Sequence, residues 1–227
     1  MLYSEENVKS NIRNREGKRV FFLGNEDTLT PSARDWLRRE KIDILPAGQA
    51  KIQEYQLENG AVFREKPEHY THLRGDTLVP KTHPVIAFRG MMDLLQAQLL
   101  LAQAAAPENI QDDLGQLLQL ARNIIRWDVL QEPADCHKLC GLSQQEIREH
   151  SHYPQKYYGV PHFMPESMDG ASMLQINLTR CTARQAELAA AHAFGDQRKD
   201  LLQALNRMSS MLYILMIRIK REGEFHE

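Results

Sequence analysis

Residues 170–194, GASMLQINLTRCTARQAELAAAHAF, and residues 197–220, QRKDLLQALNRMSSMLYILMIRIK, decide how this chain folds. They read as two consecutive helices, the first closed by Gly195, a residue suited to ending a helix. On the first, Arg180, Arg184 and Glu187 fall four and three residues apart, so they share one face. On the second, Asn206 and Arg207 open the apolar stretch. Two neighbouring helices can therefore present one charged, hydrogen-bonding patch. Arginine offers phosphate a planar fork of donors, and a nearby carboxylate and amide can orient the arginines or receive a sugar or a metal-bound water. The same spacing also suits a plain solvated face.

Upstream, Val85 to Ala106 reads as a helix in which Met91, Met92, Leu94, Leu95, Leu99, Leu100 and Leu101 surround the axis, which predicts burial all round. A further helix is expected over Glu108 to Leu130, bracketed by Pro107 and Pro133, with Leu114, Leu117, Leu118, Ala121, Ile124 and Ile125 facing inward. A short one follows Ser143 in Ser-Gln-Gln-Glu, a capping box. Tyr153 to Pro165, rich in proline, glycine and aromatics, is expected to be a loop. The expected fold is mainly α: a five-helix bundle over residues 67–227, with a small mixed α/β appendage over residues 1–66.

In that appendage, Val20 to Gly24 is a short apolar run, Thr30 and Pro31 make a helix start, and Asn59-Gly60 marks a hairpin between Tyr55-Gln56-Leu57 and Ala61-Val62-Phe63. It is expected to bury little alone and to lean on the remainder.

With 227 residues, 28 basic and 30 acidic side chains and a net charge of -2, the chain has no broad basic field to draw in nucleic acid or an anionic membrane. Any anion is bound locally. Cys136, Cys140 and Cys181, with no signal peptide ahead of them, fit reduced thiols in a cytoplasm. No uninterrupted apolar run reaches about 18 residues, so no membrane span is expected.

Asp93 interrupts an otherwise apolar and amide-rich helix. A buried carboxylate needs a partner, since stranding one member of such a pair costs about 3–5 kcal/mol. Arg180 is the candidate, although a position near the helix start also allows a solvated Asp93 favoured by the helix dipole. Thr71 to Thr77, with Arg74, Gly75 and Asp76, reads as a polar loop followed by Lys81, able to wrap phosphates or to be an ordinary connection. Cys136, His137 and Cys140 lie in one local segment and offer too few groups for a closed structural metal site. No resident metal site is expected.

Taken in order, these pieces resemble one family, the corrinoid adenosyltransferases, and within it the ethanolamine-utilisation branch. Leu29 to Arg34, Lys66-Pro67-Glu68-His69, Thr71-His72-Leu73, Lys81 to Pro84 and Phe88-Arg89-Gly90 through Asp93 resemble its first half. The Arg180, Arg184, Glu187 helix and Leu205 to Ser210 are similar to its later motifs. The departure is in residues 1–66, which hold no cysteine, whereas some members of that branch carry a metal-associated histidine and cysteine cluster there.

The resemblance implies a homotrimer of five-helix bundles binding ATP with Mg2+ at the subunit interface and passing its 5'-deoxyadenosyl group to cob(I)alamin. Lys81, Arg184 and Asn206 match catalytic positions. Those three, with Glu187 and the Thr71, Arg74, Gly75, Asp76 segment, match ATP-binding positions. Asp93 and Arg180 match an ion pair beside the corrinoid, and Phe163 stands where relatives place an apolar residue under the corrin ring; for Phe163 the other reading is an aromatic plugging the bundle's end. The resemblance further implies a flavoprotein reductant, ethanolamine ammonia-lyase as consumer of the product, and a cytoplasmic or microcompartment location. The rival expectation is a non-catalytic corrinoid or nucleotide carrier.

Overall fold

The computed structural model describes residues 1–15, 18–47 and 55–224. They fall into two compact units, one drawn from residues 1–55 and 62–65, the other from residues 56–61 and from 66 onward.

The first unit is mixed α/β, with β1 (Leu2–Tyr3), α1 (Glu5–Ser10), β2 (Arg13–Arg15), β3 (Lys18–Leu23), β4 (Thr28–Leu29), α2 (Pro31–Arg39) and β5 (Asp43–Pro46). β3 pairs antiparallel with β2 and parallel with β5, and β1 runs parallel to β4. Thr30 caps α2 by accepting the Ala33 N–H at 3.3 Å, and Pro31 begins the helix, as the sequence predicts. Val8, Phe21, Leu29, Ala33, Trp36, Leu37 and Ile42 form a small core of this unit's own.

β6 (Tyr55–Leu57) and β7 (Val62–Phe63) flank the expected Asn59-Gly60 turn. There Gly60 has φ 84°, and Leu57 N–H donates to Ala61 O at 2.8 Å. β8 (Tyr70–Arg74) and β9 (Thr77–Pro80) follow, antiparallel to each other, with β9 parallel to β6. The Thr71 to Asp76 stretch is thus a hairpin rather than a loop. Its polar residues alternate with the buried Leu73, and β9 buries Leu78 and Val79, which gives the strand an inner face despite its polar composition.

The second unit is mainly helical. α3 (Pro84–Ala105) and α4 (Glu108–Leu130) lead to the short strands β10 (Lys138–Leu139) and β11 (Leu142–Ser143), then α5 (Gln144–His152), α6 (Pro154–Tyr158), α7 (Gly170–Phe194) and α8 (Lys199–Glu224). Ser143 and Glu146 complete the capping box of α5, and Gly195 closes α7 at φ 53°. α6 corrects the expectation of loop from Tyr153 to Pro165: Pro154 supplies a first-turn residue and Gly159 at φ 75° stops the helix after five residues.

One continuous apolar cluster joins α3, α4, α5, α7 and α8 through residues such as Phe88, Leu95, Leu117, Ile124, Ile147, Ile176, Leu205 and Leu215. α3 and α7 run antiparallel, since Phe88 packs edge-on to Phe194 while Thr179 Oγ1 donates to Gln98 O at 3.2 Å.

α3 is not buried on every side. Val85, Phe88, Met92, Leu95, Leu99 and Ala102 face the core, but Leu94, Leu100 and Leu101 are exposed. On α7, Leu174, Leu178 and Leu188 are exposed as well. By length and mean hydropathy, 1.4 over its best window, α3 alone among the described helices could cross a bilayer. Counting uninterrupted apolar runs did not anticipate this. Core helices meet the same criterion, and one face of α3 is packed in protein.

At the N-terminal end of α3, Arg89 Nε donates to the fully buried Asp128 at 2.8 Å, and Arg89 Nη1 donates to Leu73 O at 3.0 Å. This fork ties the hairpin, α3 and α4 together.

Candidate functional site

The patch expected on two helices forms where α7 meets α8. Asn206 Nδ2 donates to Glu187 Oε1 at 3.1 Å, and Arg207 Nη1 donates to Asn206 Oδ1 at 3.0 Å. The amide is therefore held from both ends, which fixes its orientation. Burial holds the Arg207 guanidinium below its ordinary value; the like charge of Arg148 adds to this and Glu187 opposes it.

Arg180 and Arg184 border a cavity of about 230 Å3 together with His152, His162, Ser209, Ser210 and Tyr213. Arg184 is exposed, and among the described residues no carboxylate pairs with it. Arg180 is turned along its own helix, donating through Nε and Nη2 to Asn177 Oδ1 at 3.2 and 3.0 Å. Neither guanidinium is neutralised, so both remain able to take an anion.

Phe163 lines a second cavity of about 360 Å3 with His162, Met164, Pro165, Arg180, Tyr213 and Met216. The structure thus brings Phe163 and Arg180 together, and Arg180, His162 and Tyr213 are common to both cavities. Tyr213 OH accepts the Phe163 N–H at 3.4 Å and sits 3.0 Å from His162 Nδ1, while Lys220 Nζ lies 5.9 Å from the Phe163 ring centre. His162 and Tyr213 were not singled out from sequence. Tyr213, three residues past Ser210, was the available signal.

Asp93 corrects the expectation of a buried pair with Arg180. It is exposed, and no ion pair joins the two among the described residues. The reason is register: Gln98 meets Thr179, so in antiparallel helices Asp93, five residues earlier, is level with about residue 184, roughly one 5.4 Å turn past Arg180.

Thr71, Arg74, Gly75, Asp76 and Lys81 gather at the hairpin before α3. Lys81 Nζ lies 3.0 Å from Glu68 Oε1, an exposed pair that holds the Glu68 carboxyl below its usual range. Within the chain no hydrogen bond or ion pair among the described residues links this hairpin to Arg184, Glu187 or Asn206. The candidate residues therefore form two groups rather than one.

The three cysteines are free. Burial pushes the Cys136 and Cys140 thiols up, and the Cys140 Sγ–H points at Asp113 O, so neither is poised as a thiolate ligand.

An arginine-bordered cavity shares its wall with an apolar, aromatic-lined one, an arrangement able to take an anion beside an apolar group in a mainly helical protein. The family model for cobalamin adenosyltransferase matches residues 61–219, and the chain belongs to this family. It is 32% identical over 238 residues to the corrinoid adenosyltransferase EutT of Salmonella typhimurium, an alignment covering 92% of this chain and 89% of that one. It is 35% identical over 158 residues to the corrinoid adenosyltransferase EutT of Escherichia coli, covering 67% of this chain but only 59% of that relative's length. Among solved structures, the fold is similar to a PduO-type ATP:corrinoid adenosyltransferase variant from Lactobacillus reuteri complexed with cobalamin and ATP, with TM-score 0.52 and 17% identity, covering 69% of this chain and 91% of that one.

Proposed function

We propose that the protein transfers the 5'-deoxyadenosyl group of ATP to cob(I)alamin, giving adenosylcobalamin and triphosphate. The observation that carries this reading is the shared wall of the two cavities: Arg180, His162 and Tyr213 border both the Phe163 pocket and the Arg184 pocket. A corrin ring against Phe163, Met164 and Met216 would lie next to the groups that receive a triphosphate.

In this reading Phe163 denies cobalt its lower axial ligand, and the four-coordinate ion in a dry pocket accepts an electron more readily. Reduced cobalt attacks C5' in line. A cobalt–carbon bond forms, the C5'–O bond breaks, and triphosphate leaves with the electron pair, so no protein acid or base is needed. Arg184 and Lys81 offset the charge on the leaving group, and Asn206, held by Glu187 and Arg207, orients the nucleotide. Glu187, at the polar end of this group, would hold magnesium that arrives with ATP. Bound there, magnesium would offset phosphate charge.

The working assembly in this proposal is a trimer of five-helix bundles, each made of α3, α4, α5, α7 and α8. The exposed Leu94, Leu100, Leu101, Leu174, Leu178 and Leu188 support it, since such a face is suited to burial against another copy. A trimer would also bring the Lys81 hairpin of one subunit to the Arg184 group of the next, and would give the exposed Asp93 a neighbour. We place the enzyme in the cytoplasm or a microcompartment, reduced by a flavoprotein and supplying ethanolamine ammonia-lyase.

The test is incubation with cob(I)alamin and MgATP under reducing conditions. A light-sensitive adenosylated corrinoid is expected; corrinoid bound without that product would make the protein a carrier.

A further inference from the structure

A third cavity, about 830 Å3, lies between α5, α6 and α8, and of the residues placed in the adenosyl-transfer site only Arg207 reaches its wall. Its wall includes Arg148, His152, Lys156, Tyr157, Gln203 and Arg207. Arg148 and Arg207 face it from different helices without a bridging anion. Among the described residues no carboxylate pairs with Arg148, and Arg207 Nε is buried with no partner. Glu149, the nearby acid, already accepts from Gln145 Nε2 at 3.0 Å and from Tyr157 OH at 3.0 Å. A like-charged guanidinium pair lining a roomy polar pocket suits a phosphate ester. Tyr157 stacks on His150 and carries Lys156 Nζ 4.8 Å from its ring centre, so an aromatic base reaches its open side by displacing the flexible Lys156 side chain.

His152 lines both this cavity and the one bordered by Arg184, and its carbonyl lies 3.1 Å from His162 Nε2, on the wall of the Phe163 pocket. The third cavity therefore adjoins both of the others. We propose that the third cavity takes the nucleotide tail of the corrinoid once its base has left cobalt, with the phosphodiester on Arg148 and Arg207 and the benzimidazole against Tyr157. This rests on the adenosyltransferase reading and adds to it a seat for the displaced tail, so that base-off binding is stabilised at two points rather than only opposed at one.

Cobinamide, which lacks the nucleotide tail and its phosphodiester, separates the sources of phosphate. In Arg148→Ala the KM for cob(I)alamin should rise about 10-fold or more, the scale of one lost charge-assisted hydrogen bond, with kcat little changed. The KM values for cobinamide and for ATP should stay at wild type, and Arg148→Lys should recover part of the loss. Because Arg148 is exposed, retained cobinamide turnover also certifies a folded enzyme. An unchanged cob(I)alamin KM overturns the proposal. A rise shared by cobinamide, or a raised KM for ATP, overturns it too and assigns the cavity to the ring or the triphosphate. A wild-type protein that adenosylates neither corrinoid removes the parent reading and this one with it.

Discussion

Asn206 Nδ2 reaches Glu187 Oε1 at 3.1 Å, and through that bond α8 fixes the polar end of the stripe that begins at Arg180. The bond is half-buried and its acceptor is charged. Asn206→Ala should therefore cost about 1.5–3 kcal/mol at most in stability. Turnover should fall much further than that loss explains, because Arg207 would keep its position while losing the oxygen it holds. Chemical denaturation beside steady-state kinetics checks both parts; equal wild-type turnover would remove Asn206 from the site.

Arg184 is exposed and has no ion-pair partner among the described residues, so its replacement leaves folding almost untouched. Arg184→Ala is expected to lower kcat by about 10²–10³, the loss typical of one donor aimed at developing charge, with stability within about 0.5 kcal/mol of wild type. Thermal unfolding and the adenosylation rate measured on the same sample decide it.

Phe163 packs against Tyr213 at 6.0 Å between ring centres and is half-buried. Phe163→Ala should admit a lower ligand to cobalt and slow turnover about 10–100-fold. The electron paramagnetic resonance spectrum of bound cob(II)alamin should shift from the four-coordinate to the five-coordinate form. An unchanged spectrum would return Phe163 to the role of a packing aromatic.

The Arg89 and Asp128 pair predicts a stability effect without a catalytic one. Arg89→Ala leaves a fully buried carboxylate alone and should cost about 3–5 kcal/mol, whereas Arg89→Met with Asp128→Leu should recover much of it. Denaturation midpoints of the single and double variants give the answer.

The open leucine face predicts assembly. Leu178→Glu places a charge on the exposed leucine face of α7 and should convert the proposed trimer to monomer in sedimentation, with loss of turnover if the site needs two subunits. A variant that sediments as wild type would place the interface elsewhere.

Helices with chemical stops at their ends were legible in the sequence. Pro107, Gly195 and the Ser143 to Glu146 box fix α4, α7 and α5 because each satisfies or removes a terminal hydrogen bond. The hairpin at Thr71 to Asp76 was not, because only Leu73 on β8 turns inward and a polar strand resembles a loop. In α3, apolar periodicity cannot separate residues buried in the core from apolar residues left exposed, so Leu94 and Leu101 read like Leu95. Asp128 was not singled out from sequence; its burial is matched by Arg89, 39 residues away, and spacing within one helix cannot show that. The common face of Arg180, Arg184 and Glu187 on α7 was legible because helical spacing is local, whereas the bond from Asn206 on α8 to Glu187 depends on how the two helices pack. The Asp93 and Arg180 pair depended on interhelix register, which no single helix encodes.

A crystal structure with cobalamin and a non-reacting ATP analogue tests the central claim most directly. The account predicts the corrin ring against Phe163 with no lower ligand on cobalt, and the triphosphate on Arg184 with C5' facing the metal. A triphosphate bound away from Arg184, or a cobalt still holding its axial base beside Phe163, would contradict it.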